Sequence, residues 1–593
     1  MSGIITRHFR LHNAEQFRES FSETALTRYF LYVGKNVAYA NGSQIHGTVK
    51  CTTGSNTIVG TNTYFTTDLS VGDTIRITGL SNALRVHAIQ SAQTLITTSR
   101  PTSTIAVAAN AYVRYSFSET NPTTPIDSYQ ETYFDIWRNM IAAKRIQASD
   151  VSSIVPKYNW ANNTVYTQYT DIDPDLPTKQ FYVITSDGNV YKCIDNNRNG
   201  YSISKPTGTG TSIVSTSDGY RWKYMYTVTS ALSLKFSTVD WIPVQTLTSN
   251  NGSAQWNVQQ TAANGAIHHI EVVANGYGYL TASNTFYGVS NSTVLKLAPS
   301  SSGVDDIYNG SAIFIKSGAG SGQIRTIINY SGANNILTVN GAFISLPNTS
   351  SRYLISPRVI VRGDSGSVAT AYASNTYGGQ VRKITMISTG ASYSTANVVI
   401  SANVGRGATA KAIISPLGGH GSDATDELFG SNIMLNVRLI GSEANTFPSN
   451  NDFRIIGIMR DPLLNNGQAA NTTHIDQSHR VTVKNVAGDF RADEIIVGST
   501  SGASGRLVVF ANTNASRTEG VLKIVNLITN GTGGKFIPGE RVTGLSSTIT
   551  ANVVSYTKPA MKPYTGLVIY NENRPYISRA TDQTEDVKII ITF

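Results

Sequence analysis

Cysteine is almost absent from this chain, which contains only Cys51 and Cys193 among its 593 residues. Two cysteines so far apart provide neither a disulfide framework nor the paired spacing of a zinc site. This usage is typical of a protein synthesised in a reducing compartment. Small secreted scaffolds and zinc-binding modules are therefore disfavoured.

Charged residues are also scarce, at 14% of the chain against about 25% in ordinary soluble domains. Ser, Thr, Asn and Gly take their place, which favours short strands, tight turns and a neutral surface. Neutral surfaces suit permanent assembly because fewer charges must be desolvated at each contact. We therefore expect a subunit that works among neighbours.

The positive charge is not clustered, although the formal net charge is +10. The densest group is Arg138, Lys144 and Arg145 on a predicted helix. This pattern favours a solvated helix face over a phosphate site. Because nucleic-acid binders usually concentrate Lys and Arg, we expect no nucleic-acid partner.

Long apolar runs are missing as well. No run approaches the roughly 18 residues that span a bilayer, and the N-terminal Met1–His8 lacks the apolar core of a signal peptide. We therefore expect a soluble protein with no membrane partner that is not secreted by the usual route.

Helical periodicity is limited to three stretches. Apolar side chains recur at helical spacing over residues 13–32 and 129–145, and Ser149-Asp150 is typical of the N-cap of a short helix ending near Ile154. Elsewhere, short apolar runs alternate with glycine turns. The sequence predicts a mainly β (α+β) fold, with a β-sandwich scaffold, a few short helices and several inserted small β domains.

Three β-rich stretches are predicted to be insertions. They cover residues 45–113, 252–417 and 478–562, and the second is long enough for two modules. The rest totals roughly 270 residues, a size suited to one or two packed domains. We predict one discontinuous scaffold built from residues 1–44, 114–251, 418–477 and 563–593.

Loosely repeated patterns occur within the insertions. Two strand-like runs lead to Gly276-Tyr277-Gly278-Tyr279 and to Gly390-Ala391-Ser392-Tyr393, each predicting a glycine turn and an exposed or half-buried tyrosine. Asp493–Val497 and Phe536–Val542 form a further strand-like pair. The irregular spacing favours separate small barrels or sandwiches over a solenoid.

The most aromatic segment is Tyr220–Tyr226, in which aromatic side chains alternate with Arg221, Lys223 and Met225. Period two places the aromatic residues on one face of a strand and the cations on the other. Each aromatic side chain can bury about 150–250 Å². The aromatic face is therefore predicted to lie in a core or an interface.

The C-terminal residues form a polar segment followed by the apolar run Lys588–Phe593. Such a run left in water would invite edge-to-edge aggregation, so we predict a docked strand. In the polar segment, Arg574 is positioned to pair with Glu572 or Asp582.

Patterns that could bind a metal or phosphate are weak. Asp171, Asp173 and Asp175 have the spacing of a calcium loop but lack its downstream glycine and glutamate, which favours an acidic turn. His268 and His269 lie on a predicted strand and point to opposite faces. Two further segments, one with His474, Asp476 and His479 and the other at Pro206–Gly210, are predicted to be loops. We predict no metal or cofactor site in any of these segments.

Motifs for nucleophilic or zinc-dependent hydrolysis are missing, namely Gly-x-Ser-x-Gly, HExxH and a cysteine with a histidine signature. We expect no catalytic residues and no enzyme activity. Paired carboxylates for glycoside cleavage remain open because they can come from distant strands.

Several segments outside the insertions resemble, in the same order, the baseplate wedge protein family (product of gene 8) of T-even-like contractile-tailed phages. The resemblance covers a little under half of the chain. The first matching segment, Ile4–Arg10, looks like the family's opening strand. The others are Tyr29–Gly34, the helix around Trp137 with Ile154–Trp160, Val190–Asp195, Asp218–Tyr226, Asp452–Ile458 with Arg460–Leu463, and the C-terminal Tyr570–Pro575, Thr581–Glu585 and Lys588–Phe593.

The resemblance implies a structural subunit of the virion tail baseplate, synthesised in the host cytoplasm. It further implies a homodimer in each wedge, with other wedge subunits as partners and tail-fibre proteins as further candidates. The subunit would link the wedge core to peripheral, fibre-bearing parts. The alternative is a host-surface carbohydrate-binding or glycan-cleaving tail protein, because tyrosine-rich β modules suit sugar stacking.

Overall fold

The fold is mainly β with a few short helices, as predicted. The computed structural model describes residues 6–23, 27–35, 43–69, 74–114, 130–364, 366–441, 443, 446–449, 452–528, 535–580 and 582–593. The α-helices are Arg7–Glu19, Phe65–Asp68, Gln130–Asn139, Ser230–Phe236, Ala254–Gln260 and Ala424–Glu427. Two 3₁₀ turns are Ala148–Asp150 and Leu176–Thr178.

A five-stranded antiparallel sheet combines segments from all four predicted scaffold pieces. Helix Gln130–Asn139 contributes Ile136 and Trp137 to the same buried core as Phe30 and Tyr32 of the sheet. In spatial order the strands are His474–Asp476, Met140–Arg145, Tyr29–Gly34, Asp452–Arg460 and Leu567–Ser578.

Two four-stranded sheets use the other scaffold segments. The first contains Tyr182–Ile184, Asn189–Asp195, Arg221–Thr227 and Val214–Ser215. The second contains Trp241–Val244, Val151–Pro156, Asn432–Ile440 and Thr584–Thr592. The predicted C-terminal strand is therefore present.

The first predicted insertion is an eight-stranded sheet with a core of its own, which includes Val49, Ile58 and Leu95. In spatial order its strands are Ser43–Gln44, Ala111–Arg114, Thr74–Ile77, Leu84–Ser91, Thr94–Thr97, Thr57–Thr61, Thr48–Cys51 and Ile105–Ala109.

The second predicted insertion contains two sheets with separate cores. The six-stranded sheet has the order Ile267–Tyr277, Arg406–Ile414, Ala396–Ser401, Arg358–Gly363, Thr370–Tyr377 and Gln380–Ser388. The seven-stranded sheet has the order Ala282–Thr285, Arg352–Ser356, Ala312–Ser317, Ile324–Ser331, Ile336–Val339, Val294–Lys296 and Gly288–Val289.

The third predicted insertion is a closed six-stranded barrel with an aliphatic core that includes Val481, Leu522 and Val542. Its strands, in order around the barrel, are His479–Lys484, Glu519–Ile528, Ser504–Asn512, Ile495–Gly498, Arg541–Gly544 and Thr550–Thr557.

Contact density divides the chain into two compact units. One comprises Met1–Glu15, Ser152–Met434 and Ile590–Phe593, and the other Gln16–Val151 and Leu435–Ile589. Each contains both predicted scaffold and predicted insertion residues, so the partition into one scaffold and three insertions stays a prediction.

The first helical prediction was wrong in its position. The helix is Arg7–Glu19, which includes part of the predicted opening strand Ile4–Arg10, whose first two residues lie outside the described ranges. Tyr29 lies on the strand Tyr29–Gly34, and its ring centroid lies 4.5 Å from that of Phe21. The apolar repeat over 13–32 therefore arises from a helix and a strand that pack together.

The other two helical predictions were too long. Helix Gln130–Asn139 passes directly into the strand Met140–Arg145, so the periodic Met140 and Ile141 are strand residues. The 3₁₀ turn Ala148–Asp150 contains Ser149-Asp150 and leads at once into the strand Val151–Pro156. No turn residue separates the helix from the strand at Asn139-Met140. The sequence therefore contains no signal that would end the predicted helix at this point.

Candidate functional site

Three segments that carry the family resemblance meet at one buried contact in the five-stranded sheet. Tyr32 lies across Gly457 of the next strand, where a β-carbon would approach the tyrosine hydroxyl oxygen to 2.2 Å. The Tyr32 hydroxyl donates to Asn571 Oδ1 at 2.7 Å on the strand beyond. Burial raises the pKa of Tyr32 well above its usual value, so the hydroxyl stays a donor. This contact requires tyrosine, glycine and asparagine on three adjacent strands.

The polar segment before the last strand is anchored by Arg579, which is buried. Its Nε lies 2.9 Å from both carboxylate oxygens of Glu585. Its remaining nitrogens donate to the carbonyl oxygens of Gly441 at 2.6 Å and of Phe447 and Pro448 at 3.1 Å. A guanidinium can satisfy this many acceptors at once because its donors are fixed in a planar fork.

Arg574, which the sequence suggested as a partner for acidic residues of this segment, does pair with Glu572. Its Nε lies 3.6 Å from Glu572 Oε1, and both side chains are more than a third exposed. Exposed pairs contribute little to stability. The sequence reasoning missed Arg579 because its carbonyl partners lie more than 130 positions away.

A second buried ion pair joins Lys192 to Glu427 in the other unit. Glu427 Oε1 also accepts the backbone N–H of Gly421 at 2.7 Å, and the Lys192 ammonium lies 4.7 Å from the centroid of the Tyr169 ring. Burial lowers the pKa of Lys192, while the charge of Glu427 opposes that shift. The pair fixes strand Asn189–Asp195 to the short helix Ala424–Glu427.

The predicted aromatic strand is present as Arg221–Thr227, but both of its faces are buried. Tyr220, Trp222 and Tyr224 pack into one core, whereas Tyr226 belongs to another. Lys223 is also buried, and its Nζ donates to the Thr211 carbonyl oxygen at 2.5 Å. Burial lowers the pKa of Lys223 to about 8. The aromatic residues are therefore core residues, which is one of the two locations predicted for them.

The paired histidines lie on strand Ile267–Tyr277, whose register with its neighbour is irregular between Ile267 and His269, and they contact different residues. The centroid of the His268 ring lies 5.3 Å from that of His420, and His269 Nδ1 lies 3.5 Å from Asp195 Oδ2. Burial, with the nearby Lys223 and Arg221 cations, lowers the pKa of His268 to about 4.

The other candidate ligand groups do not converge. Asp173 pairs with Lys179 at 2.6 Å. The segment around His474 and His479 was predicted to be a loop but forms two strands, in which His474 faces Glu443 and His479 Nδ1 lies 2.8 Å from the Tyr556 hydroxyl oxygen. Among the described residues, no group of three or more acidic, histidine or cysteine side chains could hold a metal ion.

Two further predictions need correction. Tyr279 and Tyr393 are buried rather than exposed, and each hydroxyl accepts a backbone N–H, from Ala408 at 3.2 Å and from Ala369 at 2.9 Å. Lys144 lies on a strand rather than on a solvated helix face, and it pairs with Glu443 at 2.7 Å.

The remaining candidate residues have plain structural surroundings. Cys51 and Cys193 are both buried and free. The glycine loop at Pro206–Gly210 receives a hydrogen bond from the Tyr191 hydroxyl to the Gly208 carbonyl oxygen at 2.8 Å. In the described ranges, no helix is long and apolar enough to cross a bilayer.

Comparison with known proteins adds no identification. No protein-family profile matches this chain, and no curated protein matches it significantly. The site must therefore be interpreted from its own geometry. That geometry consists of buried cross-segment contacts and a long edge strand, Leu567–Ser578, which exposes the apolar side chains of Leu567, Ile569 and Tyr570.

Proposed function

We propose that this protein is a structural subunit of a contractile-tail baseplate wedge in a phage virion. The contact between Tyr32, Gly457 and Asn571 carries the proposal. Each of these residues belongs to a different segment that resembles the wedge family. Their meeting on adjacent strands gives the shared segment order a physical reason.

The proposed role is mechanical. Buried networks such as those of Arg579 and Lys192 hold distant parts of the chain together, which suits a subunit that transmits force between neighbours. In the baseplate, the protein would link the wedge core to peripheral, fibre-bearing parts. Such a role requires an interface that is stable in one state and able to repack in another.

The proposed homodimer has a candidate surface at the outer edge of strand Leu567–Ser578. This strand is 12 residues long and ends the order of the five-stranded sheet. Long edge strands with apolar side chains readily pair with another chain. A second copy of the protein would cover Leu567, Ile569 and Tyr570.

Light scattering of the purified chain tests this assembly. We expect a dimer at micromolar concentration, and a shift towards monomer in Ile569→Lys, because a charge placed at the edge opposes strand pairing. Ile590→Lys, at an exposed position on the edge of another sheet, is the matched control and should remain dimeric.

Two outcomes have different meanings. A monomeric wild-type chain would contradict the homodimer, whereas a dimeric Ile569→Lys variant would contradict only the choice of surface. Antibody labelling of intact virions tests the location. Label at the distal end of the tail is expected, and label confined to the capsid would contradict the baseplate role.

A further inference from the structure

The six-stranded sheet that begins with strand Ile267–Tyr277 curls so that the strands at its two ends, Ile267–Tyr277 and Gln380–Ser388, approach each other. The Ile267 N–H donates to the Thr389 carbonyl oxygen at 2.9 Å, and the Tyr279 N–H donates to the Gly379 carbonyl oxygen at 3.0 Å. Strands Ile267–Tyr277 and Gln380–Ser388 both line a cavity of about 610 Å³. The cavity therefore lies along the seam of a nearly closed sheet.

One wall of this cavity is the loop Asn197-Arg198-Asn199, whose three residues all have a left-handed backbone, with φ of 50°, 60° and 60°. The conformation is held by the buried Asn196, which donates to the Tyr166 carbonyl oxygen at 3.0 Å and to Asn199 Oδ1 at 2.8 Å. Left-handed non-glycine residues cost free energy and are concentrated at ligand sites. The Asn197 amide nitrogen donates to the Asp218 carbonyl oxygen at 3.0 Å, so the loop offers Asn197 Oδ1, Asn199 Nδ2 and the Arg198 guanidinium in a fixed arrangement.

The cavity wall carries three cations, Arg198, Arg382 and Lys383. Arg198 donates only to neutral oxygens, the Arg382 carbonyl oxygen at 3.4 Å and Asn275 Oδ1 at 3.3 Å. Arg382 donates to Gln380 Oε1 at 3.1 Å. Within the described ranges, none of the three cations has a carboxylate at ion-pair distance.

Two carboxylates also line the cavity. Asp195 is occupied internally, since its Oδ1 accepts the Asn197 N–H at 2.9 Å and its Oδ2 faces His269. Glu271 is the other. The three cations outnumber these two acids, which favours an anionic ligand.

An aromatic surface continues from the cavity. The Arg382 guanidinium lies 5.2 Å from the centroid of the Tyr377 ring, and Tyr377 is 70% exposed. Tyr277, 57% exposed, lies at the end of strand Ile267–Tyr277, and its hydroxyl oxygen accepts a 2.6 Å hydrogen bond from Arg406 Nε. Both rings are therefore ordered and open to solvent.

We propose that this cavity, with Tyr377 at its end, binds a segment of an anionic polysaccharide. Asn197 Oδ1 can accept a hydrogen bond from a sugar hydroxyl group and Asn199 Nδ2 can donate one, while the cations match a carboxylate or phosphate on the saccharide. Tyr377 provides a flat apolar surface for one face of a sugar ring. This binding activity goes beyond the mechanical role and needs no catalytic step.

Titration calorimetry of the full-length chain tests the proposal. The probes are oligogalacturonate, dextran phosphate, neutral dextran and polyglutamate. We expect binding to at least one of the two anionic probes that are not peptides, weakening as salt is added because charges are paired. Dextran and polyglutamate should bind much more weakly.

Two variants locate the site. Arg198→Asn keeps a residue that tolerates the left-handed backbone, and Tyr377→Ala removes the ring; each should weaken binding about tenfold, since charge-assisted and aromatic contacts are lost. Tyr287→Ala is the matched control. The Tyr287 side chain is 61% exposed, and Lys296 Nζ, on a strand of the seven-stranded sheet, lies 5.4 Å from the centroid of its ring. If Arg198→Asn fails to fold, Lys383→Gln replaces it.

The failures are equally definite. The proposal is overturned by absence of binding to both anionic polymers at millimolar concentration. Equal binding to polyglutamate would replace the saccharide with an acidic peptide. If the two site variants bind with the same affinity as Tyr287→Ala, the cavity is not the binding site. None of these results depends on whether the protein assembles into a baseplate.

Discussion

At the scale of single residues, buried polar side chains select one specific partner, because their hydrogen bonds have a required direction. Hydrophobic packing alone is less selective. Arg579 satisfies three carbonyl oxygens and Glu585, and Lys192 pairs with Glu427 across 235 positions. Such partners cannot be found by local pattern because no periodicity relates them. The exposed Arg574–Glu572 pair could be predicted because its members are two positions apart.

The first prediction concerns Arg579. Arg579→Lys should destabilise the unit that contains it by about 1–3 kcal/mol, because one ammonium cannot bond Glu585 and all three carbonyl groups, which leaves buried acceptors unsatisfied. Hydrogen exchange should show reduced protection first in the peptides that cover residues 441 and 446–449. Arg574→Lys is the control and should change stability by less than about 0.5 kcal/mol. Equal protection in both variants would mean that Arg579 is not an anchor.

The second prediction concerns pH. Burial is the main cause that lowers the pKa of His268 to about 4 and that of His420 well below its usual value of 6.5. Between about pH 6.5 and 4 the unfolded chain therefore binds protons that the folded chain does not. Stability is fully present above pH 6.5 and is lost as the pH falls towards 4.

The measurement is the melting temperature of the unit containing His268, recorded across this window. His268→Gln should flatten its decline with falling pH, whereas the exposed His87→Gln in the other unit should leave it unchanged. An identical slope in wild type and His268→Gln would contradict the assignment.

At the scale of elements, the sequence predicted strands better than helix limits. The strands Arg221–Thr227 and Thr584–Thr592 were predicted, the first because aromatic residues alternate along it and the second because it ends in an apolar run. Tyr29–Gly34 was absorbed into a helix because all six of its residues are buried, and a continuous apolar run carries no period. Periodicity therefore fails where a strand is buried on both faces.

The barrel shows an element-level repeat that the sequence only suggested. Glu494 accepts the N–H groups of Ser546 and Ser547, and Glu540 accepts those of Thr500 and Ser501, all between 2.9 and 3.1 Å. Each glutamate therefore binds the backbone of a serine-containing turn that lies beside the other glutamate's segment in the sequence. Hydrogen bonds from serine and backbone groups lower the pKa of Glu540 against the opposing effect of burial.

The third prediction follows from this equivalence. Glu494→Ala and Glu540→Ala should each destabilise the barrel by about 2–4 kcal/mol, because each leaves several buried N–H groups unsatisfied. The exposed Glu519→Ala, on a strand of the same barrel, is the control. Hydrogen exchange of residues 479–557 provides the comparison. Markedly unequal effects of the two glutamates would contradict their equivalence.

At the scale of the whole molecule, the order of segments along the chain differs from their order in the sheets. The five-stranded sheet places residues 29–34, 452–460 and 567–578 side by side. Composition and turn signals predicted three inserted stretches, and that partition stays a prediction. They could not supply the pairing of scaffold strands, which depends on side chains such as Tyr32 reaching over Gly457.

The last strand provides the final prediction. Thr584–Thr592 lies beside Asn432–Ile440, whose Ile433, Leu435 and Val437 are buried. Deleting Lys588–Phe593 would uncover that neighbour, exposing apolar side chains and backbone groups that must then find other partners. We expect lower soluble yield, loss of exchange protection in 432–440, and aggregation in light scattering. Ile590→Thr keeps the strand and changes only an exposed side chain, so it should behave like wild type. A truncated chain that stayed soluble and protected there would show that the final strand is dispensable for folding.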